Sequence, residues 1–175
     1  MDLWSPESYI YEHNLIEKAF SKLGKYIYDA DHAKWLKTTE YGDDKDRVLI
    51  KSDGNYTYFT PDIAYHNIKL SRGYDKIFNI WGADHKSYVD RMSIAIQMLG
   101  FKKEQMHVCI MQMVQLTKNG QEFKMSKRSG NSFTTIDLIN LIGKDAARWY
   151  LVNQSLDSHI TIDVEKAGKK TNENG

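Results

Sequence analysis

The sequence predicts an α/β fold: a parallel sheet with flanking helices, preceded by an N-terminal helix and hairpin segment. Three observations carry this. From residue 56 to 153 short apolar or β-branched runs alternate with helical periodicities, in the order β-α-β-α-β and then helices. Such alternation builds parallel sheets with covering helices. Two of the runs, KIFNIWG (76–82) and HVCIMQMVQL (107–116), are almost continuously apolar, as strands buried on both faces are. Third, the 175 residues are 41% apolar and 27% charged, which supplies a core and excludes a disordered chain.

The elements are expected as follows. Ser5 caps a first helix with Pro6 in its first turn; Ile10, Ile16, Phe20 and Leu23 share one face, and Gly24 ends it. In residues 25–42 two short runs flank Asp29 to His32, which reads as a hairpin. GDDKD (42–46) is a loop. RVLIK (47–51), the turn SDGN (52–55) and YTYFT (56–60) read as a second hairpin. Thr60-Pro61-Asp62 starts a helix that stops at Gly73. The strand 76–82 follows, then a helix from ADHKSYVDR to Gly100, then the strand 107–116. KNGQE (118–122) is a turn and FKMSKRSGN (123–131) a basic loop. Thr135 caps IDLINLIG, Lys144 to Asn153 forms another helix, and DVEKAGKKTNENG is a helix start or a linker.

Charge and composition narrow the function. Lys plus Arg is 24 against 23 for Asp plus Glu, so the chain does not grip nucleic acid by bulk charge. The single cysteine, Cys109, excludes a disulfide framework and a multi-cysteine metal site, and fits a reduced, cytoplasmic setting. No run is long and apolar enough to span a membrane, and no secretory signal opens the chain.

Four clusters carry candidate chemistry. Lys124, Ser126, Lys127 and Arg128 lie in one loop bracketed by Gly120 and Gly130. Ammonium groups on flexible stems suit a polyphosphate, and a closing loop can stabilise departing pyrophosphate; an isolated K-x-x-K-R is otherwise a solvated turn. Tyr58 and Asp62 are four apart across a strand-to-helix junction. A guanidinium needs a carboxylate and can be oriented by a tyrosine; the plain alternatives are a first-turn acid and a core aromatic. Gly82, Asp84 and His85 follow a strand. The glycine permits close approach to a sugar, and the acid can accept from ribose hydroxyls. No third ligand accompanies the Asp84-His85 pair, so no metal site is expected. Met113 and Val114 lie just before the basic loop, where they are also ordinary strand residues.

The string KMSKR resembles the KMSKS-type loop of class I aminoacyl-tRNA synthetases, and the chain resembles arginyl-tRNA synthetases of bacterial type. The resemblance is carried by TTEYGDDKDRVLIKSDGNYTYFTPDIAYH (38–66), NIWGADHKSYVDR (79–91), MQMVQL (111–116), FKMSKRSGN (123–131) and DAARWYLVNQSLDSHITIDV (145–164). It implies the C-terminal half of a Rossmann-like class I catalytic domain, with arginine, ATP accompanied by Mg²⁺, and tRNA(Arg) as partners and no membrane. It implies that Lys124, Ser126 and Lys127 are catalytic and that Lys124, Lys127 and Arg128 attend the ATP phosphates, Arg128 standing where the motif's last serine would be. It implies that Tyr58 and Asp62 line the arginine pocket. Gly82, Asp84 and His85 lie beside adenylate and substrate, Asp84 touching either ribose or arginine, and the backbone at Met113 and Val114 holds adenine.

The sequence lacks the H-x-G-H-like motif of the first catalytic half: His13, His32 and His66 are all followed by the wrong residues. Residues 1–55 are therefore expected to be part of the insertion between the halves. Residues 56–163 are the second half, and 164–175 lead toward an anticodon-binding domain. A chain of this extent is expected to be inactive alone and to expose an apolar sheet face. The alternative is a non-catalytic paralogue that binds nucleotide or RNA.

Overall fold

The computed structural model describes residues 2–122 and 133–169. The basic loop with Lys124, Ser126, Lys127 and Arg128, and the final KTNEN, lie outside the described residues. Two compact units are present. The first takes the described residues up to Asn79 together with His85–Val108, and the second takes Ile80–Asp84 and the described residues from Cys109 onward.

The first unit opens with two helices where one was expected, α1 (Ser8–Glu12) and α2 (Leu15–Leu23). Asn14 adopts the left-handed region at φ 52° and breaks the helix, a conformation asparagine tolerates better than most residues. Ser5 is not the cap; α1 starts with Glu7 in that place, and the Pro6 carbonyl accepts from the Tyr9 amide. Ile10, Leu15, Ile16 and Leu23 are buried, and Gly24 terminates α2.

The first hairpin forms as the pattern requires, β1 (Ile27–Ala30) against β2 (Ala33–Leu36). Its two-residue turn, Asp31-His32, has positive φ at both positions, the geometry that matches strand twist. β2 also pairs with β3 (Arg47–Ile50), completing a three-stranded antiparallel sheet.

The second hairpin is cut short. Only Ile50 and Tyr56 bridge after the turn at Asp53-Gly54. The chain then enters α3 (Phe59–Ser71) directly, so residues 59 and 60 are helical rather than extended. Thr60 does not cap the helix. Its buried hydroxyl donates to the Leu49 carbonyl at 2.7 Å, tying α3 to the sheet. Gly73, at φ 81°, follows the helix end.

β4 (Ile77–Gly82) and β5 (Met106–Met111) form a two-stranded sheet, parallel across the intervening helix α4 (Tyr88–Met98). The expectation that residues 76–82 are buried on both faces is corrected. Ile77 and Asn79 are buried, whereas Phe78 and Ile80 are 67% and 69% exposed. Burial alternates along the strand, so among the described residues β4 has one covered face and one open face. α4 begins later than expected, because Ala83–His85 forms a separate 3-10 turn.

The run 107–116 is also corrected: it is two strands, β5 and β6 (Val114–Lys118), broken at Gln112-Met113. The break is a change of partners. β6 turns through Asn119-Gly120 into β7 (Gln121–Glu122) and pairs in parallel with β8 (Ile160–Asp163). Between them lie α5 (Thr135–Ile142) and α6 (Lys144–Val152). The α5 cap is Thr134, one residue before the expected Thr135, in a reciprocal box with Asp137. A short α7 (Val164–Ala167) follows β8, capped by Asp163. Leu116, Leu138, Ile142, Ile160 and Ile162 form the core of this second unit. No helix among the described residues is long and apolar enough to cross a membrane.

Candidate functional site

The entry into α3 sets the geometry of the first unit's candidate pocket. Tyr58 immediately precedes the helix and Asp62 sits in its first turn. Four residues apart at a helix start, they occupy one face, rather than opposite sides of a strand-to-helix junction. Together with Ser5, Glu7, Pro61 and Tyr65 they line a cavity of about 260 Å³. Tyr58 is 90% exposed and so is not a core aromatic.

Asp62 accepts a hydrogen bond from the Tyr88 hydroxyl at 2.9 Å, from α4. Burial pushes its carboxyl above the usual aspartate range; the Tyr88 bond opposes this, Glu7 adds to the rise, and Lys69 and His85 pull it down. Burial, and then the Asp62 charge, keep the Tyr88 phenol protonated far above its ordinary range. His85, in the 3-10 turn, faces Tyr88 edge-on with ring centroids 6.3 Å apart.

The pocket thus gathers two carboxylates and two tyrosines around space for a cation. Glu7 was not anticipated, because nothing near it in sequence marks it; it joins the cavity beside Asp62 only through the fold, where its carboxylate accepts from the Tyr11 hydroxyl at 3.3 Å. The sequence does hold one signal, an acid in the short helical segment before Ile10, but many surface helices carry the same.

Gly82 and Asp84 meet in the second unit. A Cβ on Gly82 would lie 2.6 Å from Asp84 Oδ1, so the carboxylate folds over a backbone position that a larger residue could fill only by displacing it. Met113 and Val114 border a cavity of about 360 Å³, with His159, Thr161 and Glu122 around it. The break between β5 and β6 leaves Met113 76% exposed. Placement therefore groups Tyr58, Asp62 and His85 in one unit and Gly82, Asp84, Met113 and Val114 in the other. Among the described residues no group of three or more His, Cys, Asp or Glu is arranged to hold a metal ion.

Comparison with known proteins gives the same direction throughout. The family model described as tRNA synthetases class I (R), catalytic domain, matches residues 5–168. An arginine–tRNA ligase of Malacoplasma penetrans (strain HF-2) is 65% identical over 170 residues, covering 94% of this chain and 30% of the relative. That of Bacillus subtilis (strain 168) is 48% identical over 175 residues, covering 99% of this chain and 32% of the relative. The crystal structure of a Campylobacter jejuni arginyl-tRNA synthetase superimposes with a TM-score of 0.89 at 36% identity, over 99% of this chain and 38% of that one. The Thermus thermophilus arginyl-tRNA synthetase, at 14% identity, shares the fold with a TM-score of 0.69 over 91% of this chain and 37% of its own. The chain spans about a third of the length of the curated relatives it matches. With the family model covering nearly all of it, this chain belongs to the class I tRNA synthetases of the (R) type, within their catalytic domain.

Proposed function

We propose that this chain carries the arginine-recognising part of a class I arginyl-tRNA synthetase catalytic domain, which activates arginine with ATP and transfers it to tRNA(Arg). The observation that carries the reading is the pairing of Glu7 and Asp62 with Tyr58 in one cavity. A planar cation fits between two carboxylates as no anion or neutral side chain does. Asp62 is held by Tyr88 so that one oxygen is occupied and the other is available to a guanidinium N–H.

In this reading residues 1–55 belong to the insertion between catalytic halves, 56–163 to the second half, and 164–175 lead into the next domain. The arginine carboxylate attacks the α-phosphorus of ATP in line, and positioning supplies much of the rate. Lys124 and Lys127, with Ser126 and Arg128 in the same loop, hold phosphate charge as pyrophosphate leaves. Asp84 and His85 contact the adenylate, and the backbone at Met113 and Val114 the adenine. Mg²⁺ would accompany ATP, but the described residues offer it no ligand set and no step is assigned to it.

The test is ATP–pyrophosphate exchange with arginine, on this chain and on a version extended to the length of its relatives. Exchange with arginine by the extended version supports the reading; exchange with a different amino acid and none with arginine overturns it. Two variants sharpen this. Glu7→Gln is expected to weaken arginine binding by up to about fivefold, the scale of an exposed charge pair, measured by calorimetry. Gly82→Ala is expected to displace Asp84 and raise the KM for ATP while leaving that for arginine nearly unchanged, measured in the extended enzyme.

A further inference from the structure

Behind the Asp62 carboxylate, three side chains form hydrogen bonds whose direction is fixed by their chemistry. The backbone carbonyl of Asp62 can only accept, so His66 Nδ1, 2.8 Å away, carries a proton. His66 is 3% exposed, and burial lowers its pKa to about 4, so the ring is neutral and Nε2 is an acceptor. It accepts a hydrogen bond from Asn79 Nδ2 at 3.1 Å. Asn79 Oδ1 then faces Lys69 Nζ, which can only donate. The cation at one end and the carbonyl at the other leave the amide orientation and the histidine tautomer no freedom.

The chain joins two points of α3 to the buried Asn79 of β4. It ends on the residue whose carboxylate lines the acidic cavity. Lys69 stacks over the Tyr65 ring at 4.8 Å, and Tyr65 lines the same cavity. A buried polar chain that begins on a cation is a costly way merely to hold a helix to a strand. It is an effective way to fix the height and rotation of one helical turn. The charged and titratable groups around Asp62 come from each neighbouring element: Glu7 beside α1, Tyr11 on α1, Lys69 on α3, His85 in the 3-10 turn and Tyr88 on α4.

We propose that His66, Asn79 and Lys69 are positioning residues that set Asp62 for its guanidinium partner, with Asn79 as the link that fixes the direction of the chain. This deepens the reading of the cavity as an arginine site and rests on it.

The experiment combines ring-nitrogen NMR of the histidines in this chain with calorimetric binding of free arginine. Native His66 is expected to show the neutral Nδ1–H tautomer near neutral pH. Asn79→Asp replaces a donor with an acceptor, so both His66 nitrogens are expected to be protonated at the same pH. Asn79→Leu removes both links and is expected to weaken arginine binding roughly tenfold, the scale of a lost hydrogen bond to a charged group, with ATP binding unchanged. A native Nε2–H tautomer overturns the proposal, and that measurement needs no variant to fold. So does an Asn79→Leu chain that keeps native arginine affinity while Asp62→Asn loses it. If Asp62→Asn itself keeps native affinity, the cavity reading falls as well, which separates the two failures.

Discussion

Asp62→Asn is expected to weaken arginine binding by about a hundredfold, the cost of removing one partner from a desolvated charge pair. The shape is nearly preserved and Tyr88 keeps an acceptor, so the loss measures charge rather than packing. The same substitution is expected to raise the stability of the empty chain. In the fold the Asp62 pKa lies above its unfolded value. The folded state therefore holds a proton that the unfolded state has released, and stability falls as pH rises from the ordinary carboxylate range through the raised folded value. Above that window the cost is fully present, and asparagine removes it. Arginine binding has the opposite sign: the guanidinium selects the ionised carboxyl, so affinity drops as pH falls through the raised pKa, and binding releases protons. Calorimetry in two buffers of different ionisation enthalpy reads that release. An Asp62→Asn chain that binds arginine as before, or melts earlier at neutral pH, contradicts this account.

Lys127→Ala has the other large expected effect, and it falls on rate. In a version extended to the length of the relatives, the substitution is expected to lower arginine activation by about a hundredfold to a thousandfold, as loss of a preorganised transition-state contact does. The reason is chemical: a mobile ammonium gains most where negative charge develops on departing pyrophosphate. Arginine KM is expected to change little, because the substitution removes charge stabilisation at the phosphates and not a partner of the guanidinium. Exchange kinetics that separate kcat from KM decide it. A higher arginine KM at unchanged kcat would place Lys127 in ground-state binding instead.

How far the sequence reached depends on whether a feature is local. The β1-β2 hairpin, the ends of α2 and α3 at glycine, and the bounds of α6 were legible because their signals lie within a few residues. The division of 107–116 into β5 and β6 was not, since both strands are apolar and only their partners differ. β8 escaped as well: Ile160 and Ile162 alternate with polar residues over too short a span to stand out. The opposite error arose at Phe78 and Ile80, where an apolar run promised two covered faces and the sheet covers one. In the candidate site, Tyr58 and Asp62 were singled out by spacing and resemblance, and both line one cavity. Glu7, Tyr88 and the His66-Asn79-Lys69 chain were missed, because their roles exist only when α1, α3, α4 and β4 are folded together.

The break at Asn14 has a dynamic consequence. It leaves α1 as five residues, far below the length at which a helix persists unaided. The segment carrying Glu7 therefore rests on Ile10, its buried residue, more than on its own hydrogen bonds. Such a segment opens locally long before the core does. One wall of the acidic cavity is thus a cheap, separately melting latch, and arginine bridging Glu7 to Asp62 would close it. The amides of residues 8–12 should then exchange with solvent quickly in the free chain and slowly with arginine bound, while those of α3 change little.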